Sequence, residues 1–170
     1  MAEFIAWLKD EAEGGDVLEI VWQIIISKML FAFLAVIIME KILGLDVPPV
    51  VSGTMPILSW NFPLILTAFV FLEEIIFRVI PLMLAIGLQG SPKTVLFVAG
   101  ISSVLFGLVH GSWHHVFIQG AGGMFLSCVF LKCGGFNKKY FKATAASTAT
   151  HFLFNGLLIT FALIAGERYF

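Results

Sequence analysis

Residues 69–84 read FVFLEEIIFRVIPLML, an almost wholly apolar run interrupted only by Glu73, Glu74 and Arg78. A charged side chain at the centre of a bilayer costs about 2.5–3.5 kcal/mol on insertion scales, so such residues face the interior of a helix bundle. At about 100° per residue, Glu74 and Arg78 fall on one helical face and can pair, whereas Glu73 shares its face with Phe77. Pairing neutralises one carboxylate and leaves the other free to act on a water molecule. The structural alternative is a buried ion pair with a spare, protonated glutamate, serving only helix packing.

The rest of the chain supports a membrane setting. Hydrophobic residues make up 59% of the 170 and charged residues only 12%, and mean hydropathy is +1.00. A soluble domain of this size needs far more charge to cover its surface. Apolar runs of about 20 residues, enough to cross a hydrocarbon core of about 30 Å, recur along the sequence. The expectation is therefore an all-α, polytopic transmembrane bundle in a single membrane domain over 1–170. No basic block of the kind that tracks phosphates occurs, so nucleic acid is not an expected partner. Cys128 and Cys133 have neither CxxC nor four-ligand zinc spacing and read as small apolar side chains near a helix end.

Five spans are expected: 17–43, 61–87, 92–109, 113–131 and 143–165. Ahead of them, residues 1–16 read as an amphipathic helix lying in the interface, with Trp7 at headgroup level and Gly14-Gly15 ending it. This segment is too acidic for a cleavable signal peptide. Pro48-Pro49, Ser52-Gly53 and Met55-Pro56 mark a loop after the first span, read as partly re-entrant. Gly120, Gly122 and Gly123 are small residues that permit close helix approach. With five spans, one face carries Lys9, Lys93, Lys132, Lys138, Lys139 and Lys142 and the other only Lys41 and Arg168. That asymmetry puts the N-terminus in the cytoplasm, with the plasma membrane the expected location.

Two further spans carry polar groups. His110 follows Phe106 by four residues, so ring and imidazole share a face; alone, a histidine at a helix end is more often a packing residue than a catalyst. His151 and Asn155 are also four apart, inside an apolar stretch, and can offer two donors to one oxygen atom. The plainer alternative is an interhelical hydrogen bond. His114 and His115 extend the series, but Gly111-Ser112 intervenes and the HExxH glutamate is missing, so they read as a loop or interface feature.

Glu73-Glu74-x-x-x-Arg78, Phe106-x-x-x-His110 and His151-x-x-x-Asn155 thus stand in order on three apolar spans. Together they resemble the signatures of the CPBP family, the CAAX-protease and bacteriocin-processing membrane enzymes that include the Ras-converting endopeptidase. The resemblance covers about 62–163, the protease-like core, including the small residues from Gly120 to Ser127. It implies an intramembrane endopeptidase, with Glu73 the catalytic base and His110 its partner in activating water. His151 and Asn155 would hold the oxyanion, and Glu74 and Arg78 would order the site. A metal-free mechanism is favoured, because Asn155 beside His151 suits hydrogen bonding better than coordination; the alternative is zinc on Glu73, His110 and His151.

The implied partners are the lipid bilayer and a membrane peptide or protein substrate. Many relatives have more spans, so this short core leaves room for an oligomer or partner subunit to enclose its site. CAAX processing, bacteriocin maturation and bacteriocin immunity are the family's roles, and no residue here distinguishes them. Two other classes stay open at this stage: a non-catalytic scaffold or assembly subunit of the same fold, and a proton-coupled transporter with Glu73 and Glu74 as a relay. Against the transporter stands the lack of inverted repeats.

Overall fold

The computed structural model of the chain describes residues 1–13, 15–45, 62–111 and 113–164, with the side chains of 162–164 left out. Among these residues every element is helical and there is no strand. A helix, α1, forms at Ala2–Lys9. The first expected span is α2, Gly15–Ile37, prolonged by a π turn at Ile38–Ile42. The second is α3, Phe62–Glu74, a π turn at Ile75–Val79 and α4, Ile80–Gly87. Then come α5, Pro92–Leu108, and α6, Ala121–Phe130, flanked by π turns at Val116–Gly120 and Leu131–Gly135. The last helix is α7, Tyr140–Ile164. The loop read as re-entrant lies outside the described residues.

Within the described residues, each stretch expected as a span is thus largely helical. Among the described residues, two helices, Gly15–Ile42 and Val116–Gly135, are long and apolar enough by themselves to cross a bilayer. Of the others, the helix over 62–87 contains Glu73, Glu74 and Arg78, and Pro92–Leu108 is apolar but has only 17 residues. Leu18, Ile26, Leu30, Phe33 and Leu34 of α2 are each more than half exposed. Water would tolerate such a contiguous apolar face poorly, whereas lipid solvates it.

Local chemistry sets the helix ends. Ser91 caps α5, its hydroxyl accepting from the Thr94 N–H at 3.2 Å, and Pro92 follows at the first helical position. The return from α5 is tight: a Cβ on Gly107 would lie 2.5 Å from Val116 Cα, so only glycine lets the two backbones meet. α6 stops where Gly134 takes a φ of +117°, a conformation that side chains with a Cβ rarely adopt. α5 packs between α4 and α6, α7 lies against α6, α3 and α2, and α1 sits on the turn that ends α6.

The N-terminal segment is docked through polar contacts. Leu8 is buried, while Phe4 and Trp7 keep 40% and 38% of their surface exposed. The buried Lys132 donates from Nζ to the Trp7 carbonyl at 2.9 Å and to the Asp10 carbonyl, a cation closing the C-terminal end of α1. Just beyond, Glu11 accepts from Lys142 Nζ and Asn137 Nδ2, both at 2.8 Å, and pairs with Lys139 at 3.0 Å.

These partners, Lys142 first, hold the Glu11 carboxyl at about 2, well below its ordinary 4.5. A lowered carboxylate contributes stability that is complete above its unfolded pKa and is lost as pH falls toward the folded value. Amide hydrogens of Ala2–Lys9 are therefore expected to exchange several-fold faster in Glu11→Gln than in the parent at pH 7. Acidifying the parent from pH 5 to pH 2 should bring the two together. Hydrogen–deuterium exchange read by mass spectrometry makes the comparison, and equal protection at pH 7 would remove Glu11 as the anchor.

Candidate active site

The site begins with an irregularity in the helix over 62–87. Proline has no N–H, so Pro81 cannot donate to the carbonyl four residues back, that of Phe77. The Ser102 hydroxyl of α5 donates to that Phe77 oxygen instead, at 2.5 Å. The wider turn at Ile75–Val79 lies directly between the two glutamates and Pro81. Inserted turns of this kind recur at functional positions in helices.

Glu74 and Arg78 form the inner layer and are wholly buried, 0% and 1% exposed. Arg78 Nη1 lies 3.3 Å from Glu74 Oε1. The contact is an ion pair without hydrogen-bond geometry, and the guanidinium rests 3.9 Å over the Phe106 ring. The carboxylate is completed from α7: Ser147 Oγ–H donates to Oε2, and His151 Nδ1 lies 2.9 Å from Oε1. Phe106 is also fully buried and its ring meets Phe77, His110 and His151 at centroid distances of 5.4, 4.6 and 5.9 Å. The aromatic of the Phe106-x-x-x-His110 pattern is thus the packing centre on which the cation and both imidazoles rest.

Glu73 forms the outer layer, with 30% of its side chain exposed. Its Oε1 lies 3.8 Å from His110 Nε2 and its Oε2 lies 3.6 Å from His151 Nε2. Both separations are long for direct hydrogen bonds and short enough for a water to touch both atoms. Tautomers follow from the other ring nitrogens. His110 Nδ1 lies 2.7 Å from the Phe106 carbonyl, which can only accept, so Nδ1 carries the proton. His151 Nδ1 likewise donates to the Glu74 carboxylate. In their neutral forms, both rings therefore turn a bare Nε2 toward Glu73.

His110 reaches this position because α5 ends at Leu108 and the residue follows in the next turn, its backbone N–H donating to the Gly107 carbonyl at 3.2 Å. A straight helix carried through residue 110 would have left the ring near the opposite end of the span from His151. Asn155 stands one turn after His151 on α7, half-buried and without a hydrogen-bond partner among the described residues. A neutral His151 that donates its one N–H, at Nδ1, to Glu74 has none to give an oxyanion, so His151 and Asn155 act as twin donors only if the ring is protonated. His115, read as a loop or interface residue, is buried at the start of the Val116 turn, its ring 6.2 Å from that of His110.

Histidines anchored at Nδ1 on a carbonyl or carboxylate commonly ligate metals through Nε2. The side-chain types of Glu73, His110 and His151 suit zinc. Their disposition does not: the described residues contain no group of three His, Cys, Asp or Glu side chains able to hold a metal ion.

Sequence reasoning passed over several residues that build this site. Ser102 and Ser147 carry no local signal, because their partners are 25 and 73 positions away in the chain. Gly122 and Gly123, expected to let helices approach, instead make room for cations. A Cβ on Gly123 would lie 2.8 Å from Arg78 Nη2, and one on Gly122 would lie 2.5 Å from Lys28 Cε.

The family described as type II CAAX prenyl endopeptidase Rce1-like matches this chain over residues 54–157, more than half of its length, and the match includes Glu73, Glu74, Arg78, His110, His151 and Asn155. No curated protein and no solved structure gives a significant match.

Removing one partner of a buried ion pair leaves the other uncompensated, at a cost of about 3–5 kcal/mol. Arg78→Met is therefore expected to unfold at markedly lower temperature than the parent. Glu73→Gln, at a partly exposed position without a direct hydrogen bond, should change stability by less than about 1 kcal/mol. Thermal unfolding in detergent, followed by far-ultraviolet circular dichroism, separates the two; equal losses would mean that the layers are not distinct.

Proposed function

The chain belongs to the type II CAAX prenyl endopeptidase Rce1-like family, and from that premise we propose that it hydrolyses peptide bonds of membrane-embedded or lipid-anchored substrates through a water activated by Glu73. The observation that carries the reading is the convergence of the Glu73 carboxylate with the Nε2 atoms of His110 and His151, at 3.8 and 3.6 Å. A water seated there donates one hydrogen to Glu73 and the other to an imidazole, and its lone pairs remain free to attack a carbonyl carbon.

In this reading Glu73 removes one proton as the water oxygen bonds to the scissile carbonyl carbon. The second proton stays on the new hydroxyl, held by an Nε2 lone pair. The Asn155 side-chain amide donates to the oxyanion that forms, its N–H groups having no hydrogen-bond partner among the described residues. Glu73–H then protonates the amide nitrogen, the C–N bond breaks, and the products are an acid and an amine. Glu74 fixes the His151 tautomer through Nδ1, and Arg78 and Ser147 fix Glu74. No step uses a metal.

The same proposal includes five crossing helices, an N-terminus on the cytoplasmic side and a plasma-membrane location. The polar layers would then lie inside the bundle, with substrate entering between helices. The exposed apolar face of α2 and the lysines around Glu11, at the end of α1, support that arrangement.

Purified protein in lipid nanodiscs is expected to cleave a prenylated peptide ending in a CAAX-type sequence. Glu73→Gln should lower the rate by roughly 10²–10⁴-fold, the usual weight of a general base. Asn155→Ala should lower kcat by roughly 10²–10³-fold. Circular dichroism of both variants should match the parent, and chelators should leave the parental rate unchanged. Turnover by Glu73→Gln at the parental rate would defeat the assignment. Loss of activity to a chelator with recovery on adding zinc would transfer water activation to a metal.

A further inference from the structure

The two helices long and apolar enough to cross a bilayer, α2 and the one that contains α6, leave a groove of about 390 Å³ between them. Ile24 and Phe31 of α2 face it from one side, and Ala121, Phe125 and Cys128 of α6 from the other. All the surface it exposes is apolar. On each helix the wall runs over two turns, which at 1.5 Å per residue is a depth of about 10 Å. α1 sits across the shallow end, where Cys128 lies one turn before Lys132. There the stacked rings of Phe4 and Trp7, 5.9 Å apart, line the groove, and Lys132 holds α1 through the Trp7 carbonyl. At the deeper level Phe31 and Phe125 meet edge to face at 6.1 Å, bridging the two helices.

The shape and chemistry of this space restrict what fills it. Water gains nothing from walls that offer neither donor nor acceptor, and walls left without neighbours forfeit their dispersion contacts. Another crossing helix does not fit, because it needs a clear path of about 30 Å and α1 lies across the way. The volume is that of about a dozen water-sized units of ~30 Å³ each, and a methylene group is close to that size. It therefore matches one flexible hydrocarbon chain, entering at the level of α1 and running toward the bilayer centre. Phe4, Trp7 and Phe31 line the groove and also stay partly exposed, so it is continuous with the surface of α2 that lipid solvates.

We propose that this groove holds one acyl chain of a bilayer phospholipid, a structural lipid on which α1 is seated against α2 and α6. Such a lipid accounts for a helix that is tied to protein by polar contacts at its C-terminal end while its two aromatic rings face an apolar recess. The inference requires α2 and α6 to lie in a bilayer and is independent of the peptidase reading.

Photolabelling tests it without any substrate. The full chain is reconstituted in nanodiscs of phosphatidylcholine that carries a diazirine midway along one acyl chain, and labelled residues are mapped by mass spectrometry. Labelling is expected to concentrate on Trp7, Phe31, Phe125 and Cys128, above that of Ile26 and Leu30 on the exposed face of α2. Ala121→Phe fills the groove from α6 and Ile24→Trp fills it from α2. Each should lower groove labelling several-fold and leave Ile26 and Leu30 labelled as in the parent, which reports an inserted, folded bundle. Groove labelling no greater than that of Ile26 and Leu30 overturns the proposal, and so does groove labelling unchanged in an inserted variant. Displacement of the label by a prenylated peptide would make the groove a substrate site, and cross-links between two chains through its residues would make it a subunit interface; either also overturns it. Should neither variant insert, the pattern of labelled positions in the parent decides.

Discussion

A charge surrounded by lipid must be satisfied by the protein itself, and this structure is organised around one such obligation. The Glu74 carboxylate takes a cation from its own helix and two donors from α7, so four groups separated by up to 77 positions in the chain must meet. Once α3–α4 and α7 are drawn together in this way, Glu73, one residue earlier, has little freedom. It faces the partly exposed side of the same junction, against the second nitrogen of the histidine that Glu74 holds. Adjacent carboxylates thus have different surroundings: the enclosed one holds the helices together and the other keeps 30% of its side chain exposed.

The remaining helices serve that junction by removing obstacles. α5 is short, so His110 falls level with Glu73. Ser102 takes over the carbonyl that Pro81 cannot satisfy. Gly122 and Gly123 of α6 omit the side chains that would collide with Lys28 and Arg78. Phe106 supplies a π face to Arg78 and edge contacts to both imidazoles, so one aromatic ring solves two problems, packing and the placement of a cation. In a bilayer, where apolar burial gives helices little reason to associate, small residues and polar contacts of this kind determine which helices meet.

The N-terminal segment follows a related rule on the outside of the bundle. Lys132 and the Glu11 cluster tie α1 to the end of α6 through carbonyls and ion pairs rather than through a large apolar surface. Trp7 and Phe4 stay partly exposed as a result, in keeping with the amphipathic pattern of the segment.

Much of this was legible from residue order alone. An apolar chain with charges inside its hydrophobic runs must be a helical membrane protein, since only a helix satisfies its own backbone in lipid, and the i, i+4 spacing of Glu74 and Arg78 required no fold to be read as a pair. The three motifs marked which side chains belong together because each is local, within one turn of helix. The partners that cross between helices were not legible: Ser102 and Ser147 look like ordinary residues in their own segments. Nor did spacing reveal the level at which His110 lies, which depends on where α5 stops against the return through Gly107. Sequence by itself determined the helices and the polar residues they carry, because helix periodicity and the cost of charge in lipid are local properties. Only the tertiary structure decided which nitrogen of each histidine turns toward Glu73, because that depends on the packing of helices far apart in the chain.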